Sequence, residues 1–263
     1  MSGRDVVLVG CGRLGSAILE GWLLTGAVPA ENLIVMTPSP KPASEMARAS
    51  GARVNPPLDQ LGAAGAVVVA VKPAIWCEAL APLLPHLSSD AVMVSVMAGV
   101  SAAATSEGSG GRAVVRLMPT TAVAQAKGVA ALWADDAGAA AVGRALFEPI
   151  ADLVELADET DLHAATAVSG CAPAFVQAFV LALAEAGVAK GLSLEASLKL
   201  ARGALRSAAA TAETGEPLEA LIDRVASPGG VTRAGLDAMA SGGVSDLAAA
   251  AVEAAIRRSR EIG

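Results

Sequence analysis

Aromatic side chains are scarce in this chain of 263 residues: they make up 2% of it, and tyrosine does not occur. Proteins that hold single-stranded nucleic acid stack its bases on aromatic rings, so this mode of binding is excluded. A formal net charge of −7 also argues against contact with a phosphate backbone. We therefore expect no nucleic-acid partner, and any anionic ligand must be held by helix termini and a few cations.

Cysteine and histidine are also few. Cys11, Cys77 and Cys171 lie far apart and form no C-x-x-C pair, which predicts neither a disulfide framework nor a zinc site. His86 and His163 stand alone in the sequence, so we expect no metal site. Cysteine usage of this kind, with no recognisable signal peptide, predicts a reduced cytoplasmic protein.

Charged residues account for only 17% of the chain and hydrophobic residues for 54%, which excludes a disordered chain. The uncharged stretch 164–184 is long enough to cross a membrane. It contains Thr166, Ser169, Pro173 and Gln177, and much of its apolar content is alanine. We interpret it as a buried helix of a soluble protein, and we expect no membrane partner.

Short apolar runs alternate with helical patterns in the first 157 residues. The runs cover 6–9, 33–36, 66–71, 91–96, 113–117, 129–133 and 153–156. This alternation predicts an α/β domain with a doubly wound, mostly parallel sheet over 1–157. No strand-like run recurs over 158–263, where we predict an all-helical domain. Within it, Ser193 should cap one helix, and the last helix should span 244–262.

The first apolar run leads into the glycine-rich segment 10–15, GCGRLG, which matches the pattern G-x-G-x-x-G and opens a helix. Gly10 permits a tight turn, Gly12 lets the backbone approach a pyrophosphate, and Gly15 lets the helix pack closely on the strand. The helix N-terminus adds N–H groups and partial positive charge. Because the motif lies between a strand and a helix, it predicts a dinucleotide site and a Rossmann-type first domain.

The end of the second apolar run bears on the choice of dinucleotide. An NAD site usually has an acidic residue about 20 residues after the glycines, whereas residues 36–41 read MTPSPK and contain no carboxylate. The hydroxyls of Thr37 and Ser39 and the cation of Lys41 suit a ribose 2′-phosphate instead. We therefore expect the cofactor to be NADPH, with NADH as the alternative.

Two further loops are candidates for ligand binding. Lys72 follows the third apolar run, and ligands of open α/β sheets bind beyond the carboxyl ends of the strands, so Lys72 should border the cofactor. The segment 227–232, SPGGVT, precedes a helical stretch, and a Gly-Gly turn at a helix start suits a substrate carboxylate. A surface lysine and a plain interhelical turn are the simpler interpretations of these two loops.

With these motifs the chain resembles the pyrroline-5-carboxylate reductase family over almost its full length. The likeness lies in residues 6–21, 70–73, 114–121, 166–175 and 186–192, and above all in 225–239, VASPGGVTRAGLDAM. The resemblance implies a Rossmann domain followed by a helical dimerisation domain, and a homodimer with interlocked helices that often assembles further. It also implies NAD(P)H-dependent reduction of L-1-pyrroline-5-carboxylate to L-proline, the last step of proline biosynthesis.

The matching motifs imply a role for individual residues. The implied cofactor-binding residues are Gly10, Gly12, Arg13, Leu14 and Gly15 at the pyrophosphate, Ser39 and its neighbours at the adenosine ribose, and Ala70, Lys72 and Pro73 at the nicotinamide riboside. The implied substrate-binding residues are Ser227, Gly230, Val231 and Thr232. Thr232 is the catalytic candidate, because its hydroxyl would bond the ring nitrogen. A cyclic imine arrives protonated or nearly so, and orientation then suffices without a separate proton donor.

The sequence departs from the family pattern at three residues. Thr120 stands where the family commonly has Asn, and Cys171 and Ala172 replace a Ser-Gly pair. These positions should lie where nicotinamide and substrate meet, so the reductase of another cyclic imine acid is an alternative.

Two other classes of protein are considered. A non-catalytic NADP-binding regulator is an alternative, although a sensor needs no hydroxyl that orients an imine. A β-hydroxyacid dehydrogenase would resemble its relatives through a Lys followed closely by an Asn in the second domain. Here the only asparagines are Asn32 and Asn55, both in the first domain.

Overall fold

The computed structural model describes residues 3–262. The chain forms two compact units. The first comprises the residues up to Gly170 together with those from Ala255 onwards, and the second comprises Cys171–Ala254. Each unit is described by itself below.

An eight-stranded sheet forms the centre of the first unit, with the strand order β3-β2-β1-β4-β5-β6-β7-β8. The strands are β1 Asp5–Val9, β2 Leu33–Met36, β3 Arg53–Val54, β4 Ala64–Val69, β5 Val92–Ser95, β6 Val114–Pro119, β7 Gly128–Ala134 and β8 Ala151–Glu155. All neighbouring strands run parallel except β6 and β7. The prediction of a doubly wound, mostly parallel sheet is confirmed. The sequence analysis missed β3, because two residues are too few to show a period.

The helices of the first unit lie in the connections between strands and after the last strand. They are α1 Arg13–Thr25, α2 Pro42–Ala49, α3 Trp76–Leu80, α4 Ala102–Gly108, α5 Ala137–Phe147 and α6 Asp161–Ala165. Short 3₁₀ turns cover Ala30–Asn32, Leu58–Leu61, Pro73–Ile75, Leu84–His86 and Thr121–Gln125. A π-helical turn, Thr166–Cys171, continues from α6.

The strands β1, β2, β4 and β5 are buried on both faces, which explains why they read as continuous apolar runs, whereas the edge strand β8 is partly exposed. Along β1, Leu8 packs into the layer that contains Trp22 of α1, and Val7 packs into the opposite layer with Met93 of β5. At the neighbours β1 and β4 the strand order reverses. The crevice beyond their carboxyl ends is the place where ligands bind in open α/β sheets.

The second unit consists of helices. They are α7 Ala172–Ala189, α8 Leu194–Ala212, α9 Leu218–Val225, α10 Val231–Ser241 and α11 Val244–Ile262, of which α11 ends within the first unit. No strand follows β8 among residues 3–262, and the bounds expected for the last helix are confirmed. The Ser193 hydroxyl accepts a hydrogen bond from the Ala196 N–H at 3.2 Å, which confirms the predicted cap.

Packing within the first unit extends past residue 157, where the sequence predicts the end of the first domain. Leu162 of α6 packs against Met118 of β6 and Ala131 of β7. The short helix α6 therefore shares a core with the sheet.

The apolar helix around α7 is exposed in the single chain. The helical stretch Asp161–Ala189 has the length and hydropathy of a membrane span, yet only 11% of its most apolar window is buried. Its exposed large apolar side chains include Phe175, Val176, Phe179, Leu181 and Leu183. The interpretation of 164–184 as a buried helix is therefore wrong for the chain alone. A helix with this surface needs cover from outside the chain.

Candidate active site

The glycine-rich turn after β1 is tightly packed against its neighbours. Gly10 has φ +97°, and its N–H donates to the Met36 carbonyl at 2.8 Å. A Cβ on Gly10 would lie 2.7 Å from the Ala70 carbonyl oxygen, and a Cβ on Gly15 would lie 2.1 Å from that of Gly10. Only glycine fits these two positions, which agrees with the turn and packing roles predicted for them.

Gly12 has a different environment. A Cβ built on it would meet nothing within 4 Å, so the space above the turn is open. Gly12 is the N-cap of α1, and within the described residues no side chain caps this helix. The first amides of a helix have no intrahelical acceptor. Together with the exposed Arg13 they form a cradle that fits a pyrophosphate, and Leu14 is half-buried beneath it.

The turn after β2 is shaped by Thr37 and Asn55. The Asn55 side chain accepts from the Thr37 N–H at 2.9 Å and donates to the Thr37 carbonyl at 2.8 Å. The Thr37 hydroxyl donates to the Ser39 carbonyl at 3.0 Å, and Thr37 itself is buried. Ser39 and Lys41 are exposed. Thr37 therefore shapes the turn that presents Ser39 and Lys41 to solvent.

Sequence reasoning missed the role of Asn55. Its φ of +51° lies in the left-handed region, which asparagine adopts more readily than most residues. Its position directly after β3 would have been the signal, but β3 itself was not recognised.

A cavity of about 590 Å³ lies at the carboxyl ends of β4 and β5, within the first unit. It is lined by Lys72, Pro73, Ala74, Trp76, Gly99, Val100, Ser101, Ala104, Arg258 and Ile262. Two implied cofactor residues, Lys72 and Pro73, thus line a cavity, and the half-buried Ala70 lies two positions before Lys72. The charged groups of this lining, Lys72 and Arg258, are both cationic.

The predicted substrate loop lies in the second unit, between α9 and α10. The Gly230 N–H donates to the Ser227 carbonyl at 3.0 Å, and Gly229 has φ +71°. Arg233 stabilises this turn, because its guanidinium donates to Asp223 Oδ1 at 2.8 Å and to the Ala226 carbonyl at 3.1 Å. The loop is therefore held by one internal hydrogen bond and by the contacts of Arg233 on α10 with Asp223 and Ala226.

The start of α10 presents donors to solvent. Gly230 is its N-cap, and among the described residues no side chain caps it. Val231 is 93% exposed, and Thr232 is exposed beside it. The first-turn amides and the Thr232 hydroxyl can therefore donate to an anionic ligand that carries a second polar atom.

The residues that depart from the family pattern have defined surroundings. The Thr120 N–H donates to the Val129 carbonyl at 3.0 Å, and the Thr120 hydroxyl accepts from the Val129 N–H at 3.2 Å. Thr120 thus extends the pairing of β6 with β7. Cys171 ends the π-helical turn and Ala172 begins α7. Single π-helical turns are frequent at functional sites.

Neither histidine belongs to the candidate site described above. His86 is exposed in a 3₁₀ turn, while His163 Nδ1 lies 2.9 Å from the Ser259 hydroxyl. Burial lowers the pKa of His163, and the cations Arg116 and Arg260 lower it further. Among residues 3–262 no group of three or more His, Cys, Asp or Glu side chains could hold a metal ion.

Comparison with known proteins gives matches over the whole chain. Residues 159–262 match the family model "Pyrroline-5-carboxylate reductase dimerisation", and residues 5–99 match "NADP oxidoreductase coenzyme F420-dependent". A pyrroline-5-carboxylate reductase from Thermus thermophilus is 36% identical over 98% of both chains.

Solved structures give the same result. A pyrroline carboxylate reductase from Plasmodium falciparum with NADP bound has a TM-score of 0.84 at 27% identity, covering 100% of this chain and 99% of that one. A pyrroline-5-carboxylate reductase from Coxiella burnetii has a TM-score of 0.89 at 25% identity, covering 99% of this chain and 98% of that one. The chain with the open glycine cradle and the SPGGVT loop is therefore a member of the pyrroline-5-carboxylate reductase family.

Proposed function

We propose that this chain reduces L-1-pyrroline-5-carboxylate to L-proline with NAD(P)H, as the last step of proline biosynthesis. The observation that carries the proposal is the 227–232 loop, which exposes the first amides of α10 together with the Thr232 hydroxyl. These groups match a substrate that carries a carboxylate next to a ring nitrogen. The family membership makes the chain an oxidoreductase with a small-molecule substrate.

In the proposed mechanism the main role of the protein is to orient the substrate. The α10 N-terminus, with Ser227, Gly230 and Val231, holds the substrate carboxylate, and the Thr232 hydroxyl bonds the ring nitrogen. When bound, NAD(P)H supplies a hydride to the imine carbon. Because a cyclic imine is protonated or nearly so at neutral pH, reduction neutralises a cation and no acid of the protein is required. Correct placement then accounts for most of the catalysis.

The cofactor would be held by residues of the first unit. Gly10, Gly12 and Gly15 form the cradle at the switch point, with Arg13 and Leu14 on the first turn of α1. Ala70, Lys72 and Pro73 would border the nicotinamide riboside. Ser39 and Lys41 would meet the ribose 2′-phosphate, and Thr37 would hold the turn that carries them.

This arrangement predicts that the protein prefers NADPH to NADH. Ser39→Asp should reduce kcat/KM with NADPH by about tenfold and raise the relative use of NADH, because a carboxylate there repels the 2′-phosphate at a cost of about 1.4 kcal/mol. Ser50→Asp, which adds the same charge at the exposed end of α2, should leave the preference unchanged. A wild-type protein that already prefers NADH would contradict this interpretation of the turn.

The exposed apolar helix and the match to a dimerisation model indicate a homodimer. We expect sedimentation at micromolar concentration to give twice the mass of one chain. Phe179→Glu should shift the protein toward monomer, because Phe179 is 45% exposed on α7 and would be buried against the partner. Leu24→Glu, on α1 of the first unit, is the control and should stay dimeric. A stable, active wild-type monomer would contradict the prediction, and larger species would indicate assembly of dimers.

We also propose a division of labour along the chain, with cofactor binding in residues 1–157 and substrate binding and dimerisation in 158–263. The proposed location is the cytoplasm, without nucleic acid or membrane as partner. The net charge of −7 supports the absence of a nucleic-acid partner, and the three cysteines that form no disulfide support the proposed location.

The deciding experiment measures NADPH and NADH oxidation against a panel of five- and six-membered cyclic imine acids. The highest kcat/KM for L-1-pyrroline-5-carboxylate supports the proposal. A clear preference for another ring would instead assign the function to a related imine reductase, which Cys171 and Ala172 favour as departures at the π-helical turn. Tight NADPH binding without turnover of any imine would indicate a regulator.

A further inference from the structure

A partly buried ion pair joins the sheet to the segment before α6, because Arg116 is buried while the Glu159 side chain is 24% exposed. Arg116 on β6 is only 4% exposed, and its Nη1 donates to Glu159 Oε1 at 2.8 Å. The same guanidinium donates from Nη2 to the Met97 carbonyl at 3.4 Å. The same Glu159 oxygen accepts from the Ala102 N–H at 2.6 Å.

These contacts hold the two ends of one loop. β5 ends at Ser95 and α4 begins at Ala102, so the segment 96–101 is the β5–α4 loop. Arg116 bonds the carbonyl of its second residue, Met97, and Glu159 bonds the amide that follows its last residue. The middle of the loop lines the cavity that also contains Lys72.

Stability alone is a poor explanation for this pair. Burying the Arg116 charge costs free energy that its attraction to the partly exposed Glu159 only partly returns, and an apolar pair of similar volume is often as stable. Within the described residues Arg116 Nε is buried without a hydrogen-bond partner, which adds to the cost. What the pair provides, and an apolar pair would not, is a fixed position for the Met97 carbonyl and the Ala102 amide.

We propose that Arg116 and Glu159 are positioning residues: their ion pair fixes the β5–α4 loop and thereby the place of the nicotinamide ring beside Lys72. The inference rests on the proposed function, since it concerns hydride transfer. It assigns neither residue a contact with cofactor or substrate. In the proposed function the adenosine and pyrophosphate parts of the cofactor would be held at the Gly12 cradle and the β2 turn, so cofactor affinity should depend little on the pair.

Glu159→Gln tests the proposal, because it removes the charge while keeping an oxygen and nearly the same volume. The matched control is Asp5→Asn, which makes the same change in the ion pair of Asp5 Oδ1 with Arg53 Nη2, 2.6 Å long, at the start of β1. This pair lies at the opposite edge of the sheet from the cavity. Arg116→Lys is the conservative variant, since it keeps the charge and can bond one of the two partners.

The expected results separate positioning from folding. Glu159→Gln should lower kcat at least tenfold, leave the NADPH Kd within about threefold, and raise the primary isotope effect with 4-deuterated NADPH. Amide exchange over 97–104 should speed up, and the fluorescence lifetime of bound NADPH should shorten. The kcat of Arg116→Lys should lie between that of wild type and that of Glu159→Gln. Asp5→Asn should change none of these readouts, even if its melting temperature falls as far as that of Glu159→Gln.

The outcomes separate the positioning role from the proposed function. If wild type reduces the imine and Glu159→Gln matches Asp5→Asn in kcat and isotope effect, the positioning role is wrong. If wild type turns over no cyclic imine, the proposed function fails, and amide exchange with the lifetime of bound NADPH still decides whether the pair fixes the loop. If Glu159→Gln does not fold, Arg116→Lys takes its place, and unchanged kcat, exchange and lifetime in that variant reject the proposal.

Discussion

Gly12→Ala should leave the fold intact and weaken NADPH binding about ten- to a hundredfold, the equivalent of one lost charge-assisted hydrogen bond at about 1.5–3 kcal/mol. The added methyl meets no protein atom within 4 Å, so in the proposed arrangement it would take up space needed by the pyrophosphate. Because the residue is an N-cap with ordinary φ and ψ, we expect a loss of about 1 kcal/mol in stability, or a few degrees in Tm.

Gly15→Ala is the matched comparison. Its Cβ would lie 2.1 Å from the Gly10 carbonyl oxygen, which is backbone and cannot turn away. Overpacking of this kind costs about 1–3 kcal/mol or more, so this variant should lose stability and cofactor binding together. Thermal unfolding and titration of NADPH fluorescence separate the two effects. A Gly12→Ala protein that binds NADPH as tightly as wild type would place the pyrophosphate elsewhere.

Thr232→Ala should lower kcat/KM for the imine by about ten- to a hundredfold, since a hydrogen bond that involves a charged group contributes about 1.5–3 kcal/mol. NADPH affinity should hardly change, because the proposed cofactor residues belong to the first unit. The N-cap of α10 is Gly230, so removing the Thr232 hydroxyl removes no helix cap, and a loss of activity would not reflect a loss of capping. Alanine is also the better helix former, and stability should change by less than about 1 kcal/mol.

Thr232→Ser is the control, because it keeps the oxygen and should retain most of the activity. Steady-state kinetics well below the melting temperature, with thermal unfolding of each variant, measures both quantities. Equal activity in the Ala and Ser variants would mean that the ring nitrogen has another partner.

The periodic parts of this fold could be predicted from the sequence. Seven of the eight strands coincide with apolar runs, because strand positions covered by the two helical layers favour apolar side chains. The cradle at Gly10, Gly12 and Gly15 could also be predicted, because its requirements fall on single residues within one short segment. Gly10 allows the tight turn, Gly12 leaves the space above the turn open, and Gly15 allows close packing of helix on strand. The same holds for the SPGGVT turn, whose hydrogen bonds join residues that lie within about ten positions of one another.

Contacts between distant segments were decided only by the tertiary structure. Asn55 holds the turn at Thr37 across 18 residues, and Glu159 meets Arg116 across 43, so no periodic pattern connects either pair. Thr37 and Asn55 meet because the parallel strands β2 and β3 end side by side. Glu159, in contrast, belongs to the segment that follows β8, and only the packing of this segment on the sheet brings it to Arg116 within β6. The exposure of Phe179 has the same origin: its apolar character is visible in the sequence, but whether the chain itself covers it depends on how the helices of the second unit pack.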